Sequence, residues 1–66
     1  MIVAVDLLNI KLYNLFVKNL TNLNIGYEID RADLQQMIDI IQAIDYIQTG
    51  HPSKKEVRKI INIYAQ

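Results

Sequence analysis

Cysteine is absent from this 66-residue chain, and histidine occurs once, at His51. A disulfide framework and a Cys/His zinc site are both excluded, because neither can gather enough ligands. Long apolar runs are also missing. The stretch at residues 2–5 is ended by Asp6, and Lys11 and Asn14 follow, so no window approaches the ~20 apolar residues of a membrane span. No Lys or Arg precedes Lys11, so the basic start of a secretory signal is lacking as well. The expectation is a cytoplasmic protein with no membrane partner.

These absences matter because the chain is small. A domain of this size buries only about 60% of the surface that its unfolded chain exposes. Its core rarely supplies more than about 3–5 kcal/mol net, a deficit that small domains offset with disulfides, a metal or oligomerisation. The first two are excluded, which leaves association. The residues present are those of a folded domain, with 52% hydrophobic and 21% charged.

Formal net charge is zero but unevenly distributed. Residues 1–50 carry three basic side chains against six acidic ones, whereas residues 51–66 carry four basic against one acidic. A basic C-terminal segment thus follows an acidic body. Isoleucine (12), asparagine (6), lysine (5) and tyrosine (4) are abundant, which suits an AT-rich coding sequence such as that of a low-GC bacterium, phage or mobile element.

Periodicity predicts three helices and an all-α fold in one domain, residues 1–66, with no repeat, low-complexity tract or linker. The first helix is expected over about 5–23, bounded by Asn24 and Gly26, which accept the left-handed conformation that ends helices. Ile2, Val3 and Val5 are β-branched, so a short extended lead-in at residues 2–5, beside Tyr27 and Ile29, is the alternative start. At 100° per residue the apolar side chains from Val5 to Leu23 span roughly 220°, far wider than the ~100° stripe of an ordinary surface helix. Such a helix needs cover on two sides.

The second helix is expected over about 31–48, with Asp30 as its cap, Asp33 near its positive end and Gly50 as its stop. Leu34, Met37, Ile38, Ile41 and Ile44 would form its buried face, widened by Ile40 and Ile47. The third, over about 54–65, begins at Ser53 with Glu56 three residues later, a capping-box spacing in which each side chain satisfies the other's backbone N–H. Val57, Ile60, Ile61 and Tyr64 follow core-face spacing, with Lys55, Arg58, Lys59 and Asn62 opposite. The result is a compact three-helix domain completed by homodimerisation.

Catalysis requires an activated nucleophile, a metal cage, or acids held at separated pKa values. No such constellation is visible. Asp33, Asp39 and Asp45 are six residues apart, a spacing that walks them around a helix axis. His51 lies in a turn without another Cys or His. Neither enzyme activity, a metal nor a cofactor is implied. The polar side of the first helix carries only Lys11 and Lys18, short of the basic face of a membrane-surface helix.

Lys54 and Lys55 oppose the helix dipole, which favours carboxylates in a first turn. With Ser53, Arg58 and Lys59 they form a candidate contact for an anion or nucleic acid. The run at residues 52–61 resembles the recognition helix of a helix-turn-helix domain, in which a capped basic helix enters the major groove. With Val57 as the apolar anchor, His51 falls six residues earlier at the usual glycine position. Ile47 falls ten earlier at the usual small residue, and Gly50 is one place off.

Two functional expectations follow. The leading one is a non-enzymatic protein–protein interaction module, a small regulator or inhibitor whose partners are a second copy and another protein, with Leu12, Tyr13, Phe16 and Leu20 at the interface. The alternative is a small DNA-binding regulator that uses the basic helix 53–65.

Overall fold

In the computed structural model, which describes residues 2–66 apart from the side chain of residue 2, the chain forms α1 (Ile2–Asn24), α2 (Arg31–Gly50) and α3 (Lys54–Tyr64). The fold is all-α. Residues 2–5, considered above for an extended lead-in, are the first turn of α1, and Tyr27 and Ile29 lie in the following loop. Helical spacing from the first turn aims Ala4 and Leu8 into the core.

The chain leaves α1 through a turn at Gly26, whose φ of 90° is readily available only to glycine. Gly26 N–H donates to Leu23 O at 3.1 Å and Tyr27 N–H to Asn22 O at 2.7 Å, the paired bonds of a Schellman motif. At the start of α2 the Asp30 carboxylate accepts from Ala32 and Asp33 N–H at 2.8 and 3.2 Å. Both caps agree with the sequence reading.

The end of α2 corrects it. Gly50 is the last helical residue, and His51 takes the left-handed conformation, with φ 47°. Glycine is useful at position 50 for a different reason. A β-carbon there would lie 2.8 Å from Cδ1 and Cε1 of Tyr46, one turn earlier, so its absence gives the tyrosine ring its place. The capping box of α3 is half formed. Ser53 Oγ accepts from Glu56 N–H at 3.2 Å, but the Glu56 carboxylate accepts the Tyr46 hydroxyl at 2.7 Å. That bond raises the Tyr46 pKa above the ordinary tyrosine range.

The buried core comprises Ala4, Leu8 and Leu15 of α1, Ile40, Ala43 and Ile47 of α2, and Val57 of α3. Among the described residues only Leu8 and Ile40 are completely buried large side chains. The face expected for α2 therefore needs correction. Met37 and Ile44 are half-buried, whereas Leu34, Ile38 and Ile41 are 44%, 42% and 55% exposed. The cause lies in α3, whose Ile60 and Tyr64 stand beside Asp39, Ala43 and Tyr46 of α2. Ala43 and Ile41 are 200° apart around the helix, so α3 covers the side of α2 away from Ile41.

Length completes the explanation. At 1.5 Å per residue α3 extends only about 16 Å beside an α1 of about 34 Å, so half of the α1–α2 hairpin has no third helix. Every pair of helices is in contact, yet the molecule measures 43 × 19 × 18 Å. Its radius of gyration, 13.0 Å, exceeds the about 11 Å expected of a globular domain with this many residues. Its accessible surface, 4938 Å², exceeds the about 4,300 Å² usual for a monomer of its mass.

Candidate interaction surface

The α1–α2 corner is fixed by a buried polar side chain, Asn19, which is 4% exposed. Its Nδ2 donates to Leu15 O at 2.8 Å and to Asp33 Oδ2 at 3.2 Å, while its Oδ1 accepts from Asp30 N–H at 3.0 Å. One amide thus links the last turns of α1 to the cap of α2. Asp33 Oδ2 also pairs with Lys18 Nζ at 2.8 Å, the one ion pair among the described residues. The Lys18 ammonium holds the Asp33 carboxyl below its ordinary range, opposed by burial and aided by Asn19. Asp33 in turn raises Lys18.

This corner sets α1 and α2 side by side and leaves an apolar groove between them. One stretch is lined by Asn9, Leu12, Tyr13, Phe16, Met37 and Ile41. The next is lined by Phe16, Asn19, Leu20, Leu23, Ile29, Leu34 and Met37. Phe16 and Met37 belong to both stretches, so the groove is continuous. No charged side chain is among the described residues that line it.

All four sequence-expected interface residues line this groove. Leu12 is half-buried and packs against the core, whereas Tyr13, Phe16 and Leu20 are 66%, 48% and 43% exposed. Sequence reasoning missed the α2 half, Leu34, Met37 and Ile41, by assigning those residues to the core. No local signal in the sequence separates these residues from the core face. On α1, the burial of Asn19, which lies between Leu8 and Leu12 on the helical wheel, shows which side meets α2 and leaves Phe16 and Leu20 outside the contact.

The second candidate surface is separate. Ser53 caps α3, and Lys54, Lys55, Arg58 and Lys59 are exposed. None of these four cations is ion-paired with a described carboxylate, and Glu56 is turned to Tyr46. Val57 and Ile47 are buried, and His51 is the left-handed residue between them. The structure does not bring this basic face together with the groove residues.

Among the described residues no group of three or more His, Cys, Asp or Glu side chains could hold a metal ion. No described helix is long and apolar enough to cross a membrane. No protein-family model matches the chain, and no curated protein or solved structure shows significant similarity to it.

Proposed function

We propose that this protein is a non-enzymatic interaction module, a small self-associating regulator or inhibitor of another protein, acting in the cytoplasm without a cofactor. The observation that carries the reading is the continuous, uncharged groove between α1 and α2, walled by half-exposed Phe16, Leu20, Leu34 and Ile41. Isolated surface leucines are ordinary, but a contiguous apolar face shared by two helices is where proteins bind one another. The excess surface over a typical monomer points the same way, being of the order each partner buries in a standard interface, about 800 Å².

Substituting an exposed wall residue tests this reading without emptying the core. Phe16→Asp and Leu20→Asp should each retain the far-UV helical signal and abolish self-association in sedimentation equilibrium. An association unaffected by either change contradicts the reading. Leu12→Asp is the less informative substitution, because Leu12 also packs on the core and its loss should unfold the chain.

The basic face of α3 supports a second reading, a DNA-binding regulator. Its four cations are exposed and unpaired among the described residues, and the left-handed turn residue stands six positions before a buried anchor, as in a helix-turn-helix register. A labelled duplex titrated at low salt should bind the wild type and not the Lys54→Ala/Lys55→Ala/Arg58→Ala variant. Absence of wild-type binding removes this reading.

A further inference from the structure

We propose that the α1–α2 groove is occupied by a second copy of this chain in antiparallel, two-fold arrangement, so that two hairpins close into a four-helix core. This inference deepens the self-association reading above and rests on it. Its first support is the spacing of what is exposed. On α1, Asn9, Tyr13, Phe16, Leu20 and Leu23 follow steps of four and three, and on α2, Arg31, Leu34, Ile38, Ile41 and Asp45 follow steps of three and four. Alternating three and four is the heptad pattern of helices that pack lengthwise on other helices. Each seam is exposed at its central apolar positions, so each lacks its opposing helix.

Charge identifies the occupant. The α2 seam is apolar in its middle and ends in Arg31 at one side and Asp45 at the other, both exposed and, like every described charge except Lys18 and Asp33, without an ion-pair partner. They are fourteen residues apart, about 21 Å along the helix and on nearly the same face. Arg31, Ile38 and Asp45 are not groove-lining residues but lie on the α2 face next to the groove walls Leu34 and Ile41. A two-fold axis crossing near Ile38 reverses one seam on the other and brings each Arg31 toward the Asp45 of the second copy. A parallel pair would set like charges together, which disfavours that register. An isologous contact of this sort is self-complementary by symmetry. The surplus of surface per chain, roughly 600 Å², would reach only the small end of stable interfaces if two copies covered it.

The test is a charge exchange at both ends of the seam. Arg31→Asp and Asp45→Arg lie outside the core, and each variant faces like charge with like at two symmetric points of the dimer. Sedimentation equilibrium at low salt should show each single variant associating about tenfold or more weakly than wild type. The Arg31→Asp/Asp45→Arg double variant should regain wild-type affinity. Equimolar Arg31→Asp and Asp45→Arg chains should form the heterodimer in native mass spectrometry, and ~1 M salt should erase the differences. If a reversal perturbs the circular dichroism, Arg31→Gln and Asp45→Asn give the same ordering with smaller effects.

Single reversals that leave the dimer unchanged, while Phe16→Asp abolishes it, overturn the antiparallel arrangement alone. A dimer indifferent to Phe16→Asp overturns both this inference and the reading beneath it. A wild-type chain that stays monomeric shows that the second copy is not the occupant.

Discussion

Replacing Asn19 with alanine removes the buried amide that, among the described residues, joins the two long helices. The side chain is 4% exposed and makes two hydrogen bonds to backbone groups, Leu15 O and Asp30 N–H, besides the one to Asp33. At roughly 1 kcal/mol each, the two backbone bonds set a loss of about 2 kcal/mol. For a domain of this length that corresponds to a fall in Tm of about 8–16 °C. It is also a large part of the about 3–5 kcal/mol that such a core supplies. Asn19→Asp separates hydrogen bonding from shape. It is isosteric and still accepts from Asp30, but at neutral pH it loses both donated bonds and sets a carboxylate beside Asp33. It should therefore be less stable than Asn19→Ala at pH 7 and recover relative to it in acid. The sign follows from the raised pKa of a buried carboxyl facing another: the folded form is favoured at low pH, and that advantage is lost as pH rises through the folded value. Thermal melts of the three proteins at neutral and acid pH provide the comparison. An Asn19→Ala protein melting with wild type, or an Asn19→Asp protein indifferent to pH, would refute the assigned role.

Asp33 has a folded pKa lowered by Lys18, so its contribution is present above its unfolded value and fades as pH falls through the folded one. Lys18→Met should therefore be less stable than wild type near neutrality and converge with it in acid; parallel stability–pH curves from urea melts would contradict this. His51→Gly should stabilise the chain by about 0.5–1 kcal/mol, because glycine adopts the left-handed turn without a β-carbon clash. A lower Tm would show that the His51 side chain contributes more than the strain it imposes. Gly50→Ala should forfeit the helix-propensity gain of about 1 kcal/mol, because the new methyl displaces the Tyr46 ring from Glu56. In a Tyr46→Ala background the same change should stabilise, and a double-mutant cycle with no coupling would dismiss the clash.

The residues that fix helix boundaries act through their nearest neighbours, which is why Asp30, Ser53 and Gly26 were legible in the sequence. His51 was less so, since Gly50 beside it is the better left-handed residue and only the Tyr46 ring explains its use inside the helix. The α2 face was misassigned for a global reason. Both Ile40 and Ile41 suit a core, and which one faces inward depends on where the short α3 lies, a tertiary fact absent from the local pattern. The breadth of the apolar arc on α1 did point to an unfilled side, and its Tyr13, Phe16 and Leu20 line the groove. The matching half on α2 became visible only once Leu34 and Ile41 were found exposed.

The concentration dependence of thermal unfolding tests the central claim, that the α1–α2 face is completed by another copy of the chain. If association stabilises the folded state, Tm rises with protein concentration by mass action, by several degrees over about a hundredfold range, and the Phe16→Asp variant shows no such rise. A wild-type Tm constant across that range, at the mass of the single 7.7 kDa chain, would contradict the account.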